Sequence, residues 1–139
     1  MTALAGLVLA GCSATGPQFK PVSLGLDEGA VVYVYRNDQF KNSAMSVPVL
    51  VDENLVGKLA NSGYLAIPVT QGQHLVRLDL KGYRGFAGVP LQAQRGESIY
   101  LRLDSSYVES GAVGTRSFRL TRLPEALASP EIALTKDSK

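Results

Sequence analysis

The chain has 139 residues, which suffices for one domain of ordinary size and hardly for two. With 45% hydrophobic and only 19% charged residues it can bury a sizeable core, so wholesale disorder is excluded. A formal net charge of +2 argues against nucleic acid as a partner. One Cys and one His exclude zinc sites built from Cys/His clusters and any disulfide within the chain.

The N-terminus contains an apolar stretch, Ala3–Ala10, that is far shorter than the roughly 20 residues needed to cross a bilayer. It matches the apolar segment of a secretory signal peptide. The stretch ends in Leu9-Ala10-Gly11-Cys12, which resembles the lipobox of bacterial lipoproteins. This resemblance implies a signal peptide over residues 1–11, cleavage before Cys12, and a lipidated Cys12 that carries diacylglycerol and a fatty acid such as palmitate. Because a signal peptide normally opens with Lys or Arg and Met1-Thr2 has neither, we expect the natural start to lie upstream of Met1.

The residues after the cysteine bear on location. From the residues alone, Cys12 could instead be a buried thiol or one that pairs between chains. Ser13 follows it, whereas in the lipoproteins that it resembles an Asp at this position tends to retain the protein at the inner membrane. We therefore expect a lipid-anchored protein of the bacterial cell envelope, at the outer membrane and facing the periplasm.

Residues 12–29 are rich in Gly, Pro and Ser and predict a tether, with packing of Phe19–Leu26 along the domain as the alternative.

Residues 30–123 predict an all-β domain, because short runs of alternating apolar and polar residues are separated by turn residues. Two hairpins are expected: 47–52 with 55–60, and 63–69 with 73–80. Further strands are expected over 30–36, 86–93, 98–104 and 116–123. Seven or eight strands with one apolar face each form an antiparallel β-sandwich or a rolled sheet.

The same alternation predicts which side chains face the core. They are Val32, Val34, Val49, Val51, Leu65, Ile67, Val76, Leu78, Leu80, Ile99, Leu101, Leu103, Phe118 and Leu120. Burying each such side chain contributes about 1.5–3 kcal/mol, which chain entropy largely offsets.

The pattern changes after Leu123. Pro124 and Glu125 favour a helix start, and Ser129-Pro130-Glu131 repeats that signal. Residues 124–139 therefore predict a short C-terminal helical segment followed by a frayed tail.

The order of these motifs resembles a known family. The LAGC sequence at 9–12 is followed by Gly16-Pro17-Gln18-Phe19, by VVYVYR at 31–36, by VPVLVD at 47–52 and by Gly72-Gln73-His74-Leu75-Val76. This order is similar to a family of small bacterial lipoproteins that share a domain of unknown function. The Gly-x-His-x-Val step also resembles PEGA and carboxypeptidase-regulatory-like β-sandwich modules. The resemblance implies the fold and the anchor, and it brings no catalytic residue and no cofactor.

His74 is the only imidazole of the chain. As a general base or metal ligand it would need partners, and Arg77 and Asp79 of its own strand alternate to the opposite face. A structural role is therefore favoured.

The aromatic residues suggest a binding surface. Tyr33 and Tyr35 share one face of the first strand and are the best candidates for an exposed aromatic pair, with Tyr64 and Tyr100 nearby. The favoured interpretation is nevertheless structural, because tyrosine is simply a good strand residue. The Gly-rich loop 81–88 lacks the ending of a phosphate-binding loop, and its Tyr83, Arg84 and Phe86 are further candidates for partner contact.

Several arginines lie on predicted strands and suit an anionic partner such as lipid headgroups. If the strands 73–80 and 98–104 pair antiparallel, however, Arg77 meets Asp104 and Asp79 meets Arg102. Surface ion pairing is therefore the favoured role of these arginines.

These observations predict a non-enzymatic, membrane-anchored β domain that binds a protein or cell-wall partner. The alternative is a periplasmic inhibitor of a cell-wall hydrolase such as lysozyme, with Asp104–Gly114 as the inserted loop. No catalytic residue, metal site or cofactor is predicted, because no Gly-x-Ser-x-Gly elbow and no carboxylate cluster stands in the sequence.

Overall fold

The predicted β-sandwich is confirmed by the computed structural model, which describes residues 13–22, 29–39, 45–80 and 87–139. Cys12 and the loop residues Tyr83, Arg84 and Phe86 lie outside the described residues. The elements are β1 (Ala30–Tyr35), β2 (Val47–Val51), β3 (Asn54–Leu59), β4 (Gly63–Val69), β5 (Gly72–Leu78), β6 (Gly88–Ala93), β7 (Ser98–Ser110), β8 (Val113–Leu123), α1 (Glu125–Ile132) and β9 (Lys136–Asp137).

The strands form a five-stranded sheet in the order β8-β7-β1-β4-β9 and a four-stranded sheet in the order β3-β2-β5-β6. β1 pairs antiparallel with β4 and parallel with β7, so Tyr35 lies level with Tyr64 and Arg102. β4 and β9 also pair in parallel. Antiparallel pairing, which was expected throughout, therefore gives way to parallel pairing at two places.

The core between the two sheets contains the side chains that alternation predicted. Thirteen of the fourteen are buried there, and Leu80 is partly buried against the cluster. Val32 and Val34 of β1, for example, are fully buried. The side chains that face the core could thus be predicted from the residues of the strand itself.

The first predicted hairpin is confirmed, and its turn is tight. Val51 of β2 pairs with Asn54 of β3, which leaves only Asp52 and Glu53 in the turn. Their φ angles are 48° and 67°, the positive pair typical of a type I′ turn.

The second predicted hairpin is wrong, because β4 and β5 lie in different sheets. β4 pairs with β1, whereas β5 pairs with β2 and β6. Gly72, at the start of β5, has a φ of 130°, a conformation that side-chain-bearing residues rarely adopt. The chain can therefore leave one sheet for the other after only Thr70 and Gln71.

The outer face of the five-stranded sheet is covered rather than open. Helix α1 packs Ala128 and Ile132 against it, and the N-terminal segment adds Phe19. The molecule consequently has a second apolar cluster on the far side of β1. It also includes Val31, Tyr33, Tyr35, Tyr64 and Tyr100.

The N-terminal segment 13–22 lies against the domain, whereas residues 23–26 of the alternative docking segment Phe19–Leu26 lie outside the described residues. Ser13 bridges to Asn61, and Gln18 bridges to Lys136. Main-chain hydrogen bonds of 2.8–3.2 Å join Ala14 to Asn61, Gly16 to Asp137, Asp137 to Pro17, and Phe19 to Thr135. The C-terminal residues, expected to fray, instead form β9 between β4 and this segment.

The turns of the sandwich lie at two opposite ends, which we name after Asn61 and Asp52. The Asn61 end contains the turn Asn61–Gly63, Ser13 and Leu134; the amide of Lys136 donates to the carbonyl of Ser62 there. The Asp52 end, at the opposite termini of the strands, contains the Asp52–Glu53 turn, the β4–β5 connection and the β6–β7 turn.

Candidate functional site

Tyr33 and Tyr35 do not form an exposed aromatic pair, so that prediction is wrong. They are only 1% and 0% exposed. The reason is that Phe19 and helix α1, from near the two ends of the chain, cover the face of β1 on which both tyrosines lie.

The buried tyrosines form a packed aromatic cluster. Tyr33 stacks on Tyr100 with ring centroids 5.2 Å apart, and Phe19 packs edge-on against Tyr33 and Tyr64 at 5.3 and 5.0 Å. The hydroxyl of Tyr33 accepts a hydrogen bond from the amide of Val22 at 2.8 Å. Burial, with the nearby Glu125 carboxylate, raises the pKa of Tyr100 to about 12. This cluster fastens the N-terminal segment to the sheet.

Glu131 joins helix α1 to the five-stranded sheet. Its carboxylate accepts hydrogen bonds from the Tyr35 hydroxyl at 3.2 Å, the Asn37 amide at 2.8 Å and the Arg102 guanidinium at 2.9 Å. Burial raises the pKa of Glu131, but the Asn37 hydrogen bond and the charge of Arg102 outweigh it, so the pKa is lowered overall. Glu131 is therefore ionised at neutral pH and holds the helix in place.

At the Asp52 end, His74 lies between two acceptors. Its Nδ1 is 2.5 Å from Oδ2 of Asp52, and its Nε2 is 2.7 Å from the carbonyl oxygen of Thr70. The bond to Asp52, followed by the bond to Thr70, raises the pKa of His74. The same pair, with the amide of Leu75 donating to Oδ1, lowers the pKa of Asp52.

This geometry favours an imidazolium with both N–H groups engaged. A general base needs a ring nitrogen that can accept a proton from substrate, and both nitrogens of His74 already face acceptors. The prediction that His74 is structural agrees with this arrangement. Asp52 could not be identified as its partner from the sequence, because the two residues are brought together by the pairing of β2 with β5. Pairing of Val51 with Val76 would have placed Asp52 beside Leu75 and so beside His74.

An open groove of about 630 Å³ runs past this pair; we call it the His74 groove. β5 and β6 form its floor, where Leu75 pairs with Pro90 and Gln73 pairs with Gln92. Apolar carbons and two exposed amides are therefore presented side by side. Its lining residues are Asp52, Gln73, His74, Leu75, Pro90, Leu91 and Gln92.

Arg77 and Arg102 do form ion pairs, but with other partners than expected. Arg77 donates to both oxygens of Glu53, at 2.8 and 2.6 Å. Arg102 contacts Asp104, two residues along its own strand, and Glu131. The expected pair of Arg77 with Asp104 is wrong because β5 and β7 lie in different sheets.

The segment Asp104–Gly114, expected to be a loop, is a β-ribbon. β7 and β8 pair from Tyr100–Leu123 to Ser110–Val113, whereas β1 accompanies β7 only as far as Arg102. The ribbon turns at residues 111–112, and Gly111 has a φ of 63°. A two-stranded hairpin therefore continues beyond the sheet.

The described residues give no sign of a metal or of a membrane crossing. Among them, no group of three His, Cys, Asp or Glu side chains could hold a metal ion. In the same part of the chain, no helix is long and apolar enough to cross a bilayer.

No protein-family model, curated protein or solved structure matches this sequence or fold. The site must therefore be interpreted from its own geometry.

Proposed function

We propose that this chain is a lipoprotein of the bacterial cell envelope, anchored at the outer membrane through lipids on Cys12. The sequence Leu9-Ala10-Gly11-Cys12 carries this proposal. Two or more acyl chains on the new terminus would hold the domain stably at a membrane.

We further propose that the anchored domain is a non-enzymatic binding domain that engages a protein or cell-wall partner in the His74 groove. The groove combines the apolar floor of Leu75 and Pro90 with the amides of Gln73 and Gln92, which suits recognition by contact and hydrogen bonding. Pro90 lacks an N–H and lies on β6, an edge strand, so strand addition by a partner is disfavoured at that position. Side-chain recognition is therefore the expected mode.

The anchor is tested by Cys12→Ser, with Ser13→Ala as the matched control. Expressed with a functional export signal in a Gram-negative host, the wild type and Ser13→Ala should fractionate with the outer membrane. Cys12→Ser should be lost from the membrane fraction. Mass spectrometry of the wild-type N-terminal peptide should find Cys12 carrying diacylglycerol; an unmodified Cys12 with residues 1–11 still attached would contradict the proposal.

The groove is tested by a photo-crosslinking residue placed at exposed Gln92 in living cells. A discrete adduct is expected there, and none is expected from the same residue at exposed Lys58 on β3. Equal labelling from both positions would show that contact at Gln92 is not specific.

The β7–β8 hairpin supports a second candidate function. A ribbon that continues beyond its sheet has the shape needed to enter the cleft of a cell-wall hydrolase, and it carries Ser106 and Glu109. A crosslinker at exposed Thr115 distinguishes the two candidates. Adducts with a hydrolase from Thr115, together with inhibition of that enzyme by the purified domain, would favour the inhibitor.

A further inference from the structure

We propose that the Asn61 end of the domain faces the bilayer, so that Leu134 and the turn of the β7–β8 hairpin lie at the lipid surface. This orientation rests on the proposed lipid anchor at Cys12. It goes further, because an anchored domain on a long tether would have no fixed orientation.

The first argument is that little chain separates the anchor from the fold. Ser13, the residue after Cys12, already bridges to Asn61, and the amide of Ala14 donates to the Asn61 carbonyl at 2.9 Å. Consecutive Cα atoms are 3.8 Å apart. A lipidated Cys12 would therefore hold the Asn61 turn within a few ångströms of the headgroups.

The docking of the segment is secured by more than one bond. Gly16 donates to the Asp137 carbonyl at 3.2 Å, and the Gln18 side chain donates to the carbonyl of Ala133 at 2.6 Å. A Cβ at Gly16 would stand 2.6 Å from the Asp137 carbonyl oxygen, so the two chains are in close contact. The segment is thus part of the fold from its first described residue, so a lipid anchor at Cys12 would place the membrane at the Asn61 end.

The second argument is an exposed apolar side chain at this end. Leu134 is 76% exposed, the largest exposed fraction among the large hydrophobic residues described. It lies beside Ser62 and Thr135, next to the turn that holds Ser13. Contact with lipid would remove this side chain from water.

The third argument is that the hairpin leaves the sheet at the same end. Tyr35, Tyr64 and Arg102 are level with one another, and β7 continues past Arg102 toward the Asn61 turn. Gln39 connects β7 to the Asn61 turn. Its main-chain amide donates to Asn61 Oδ1 at 3.0 Å, and its side-chain oxygen accepts a hydrogen bond from the Ser105 hydroxyl at 2.5 Å. From Ser105 to the last pair at Ser110 the ribbon extends roughly 17 Å further, at about 3.4 Å per residue.

In this orientation the His74 groove, at the Asp52 end, faces away from the bilayer. A partner in the periplasm could reach it. The hairpin would contact lipid instead of entering a hydrolase cleft, so the same orientation bears on the choice between the two proposed functions.

The test measures the depth of single labelled positions in vesicles. Lipidation blocks the thiol of Cys12, so Leu134→Cys, Ala112→Cys and Leu55→Cys would each carry one reactive thiol. Each lipidated variant would be labelled with a fluorophore and reconstituted into phosphatidylethanolamine–phosphatidylglycerol vesicles that contain spin-labelled quencher lipids. Leu55, 61% exposed near the Asp52 end, is the matched control. Quenching at positions 134 and 112 should exceed quenching at 55 several-fold.

The outcomes separate the orientation from the anchor. Vesicle flotation is measured first, and a lipidated protein that does not float rejects the anchor and the orientation together. A protein that floats but shows equal quenching at 134 and 55 rejects the orientation alone, and a label at 112 that stays unquenched rejects the hairpin contact. All three substituted positions are exposed, and unchanged thermal unfolding would show that the variants are folded.

A linker insertion tests whether the short connection sets the orientation. About 20 Gly/Ser residues between Cys12 and Ser13 would add a reach of roughly 25 Å. Flotation should be retained, and quenching at 134 should fall toward the value at 55. Unchanged quenching at 134 would overturn the argument from the short connection.

Discussion

His74 and Asp52 meet at 2.5 Å and join the β2–β3 turn to the β4–β5 connection. The imidazole also reaches the Thr70 carbonyl, so one ring links both loops. Asp52 has a φ of 48°, an unfavourable value for a residue with a side chain. The pair therefore stabilises a turn that the backbone alone would resist, and it shapes one wall of the His74 groove.

The stability of the domain should depend on pH through this pair. Because the folded-state pKa of His74 is raised, its contribution is complete below the unfolded pKa of about 6.5 and is lost as the pH rises through the folded pKa. The lowered pKa of Asp52 gives the opposite dependence, and that contribution is lost in acid, below about pH 4. Stabilisation by the pair is therefore greatest between these limits.

Urea unfolding of the wild type and His74→Gln should show this dependence. The difference in their free energies of unfolding should be larger at about pH 5.5 than at about pH 8.5. Gln73→Ala, at the adjacent exposed position, should follow the wild-type pH curve. A His74→Gln difference that stays constant over this range would show that the imidazolium pair does not contribute.

The sequence was sufficient to predict the strands and their core-facing side chains, because alternation is a local property. Val32 and Val34 are buried for a reason visible within β1 itself. Which strands become neighbours is not local: the residues of β4 and β5 suit a hairpin equally well, yet the turn at Gly72 sends them to different sheets. The predicted ion pair between Arg77 and Asp104 is wrong for the same reason, because β5 and β7 lie in different sheets.

The covered face of β1 shows a second limit of prediction from the sequence: exposure of a strand face depends on what packs against it. Tyr33 and Tyr35 alternate with core valines, and a tyrosine suits either an exposed face or a second buried layer. Only the packing of Phe19 and helix α1 decides between these, and both come from regions distant in sequence. The apolar side chain of Phe19 is suited to docking, but the residues that it contacts depend on the fold.

Glu131→Ala should destabilise the domain by about 1–3 kcal/mol, since Tyr35, Asn37 and Arg102 would lose their shared acceptor. Chemical denaturation monitored by circular dichroism measures this. Glu109→Ala, at an exposed position on the hairpin, is the control and should change the free energy of unfolding by no more than about 0.5 kcal/mol. Equal effects of the two substitutions would mean that Glu131 does not hold the helix.

Phe19→Ala should release the N-terminal segment from the sheet. The substitution removes edge-on contacts to Tyr33 and Tyr64, and a loss of about 1–3 kcal/mol in the free energy of unfolding is expected. Hydrogen exchange should quicken at the amides of Gly16 and Asp137, which bond across this junction, while the core amide of Val34 stays protected. Val22→Ala, at a side chain 44% exposed, is the control and should leave exchange at both junction amides unchanged. Exchange in Phe19→Ala that matches the wild type would mean that hydrogen bonds alone dock the segment.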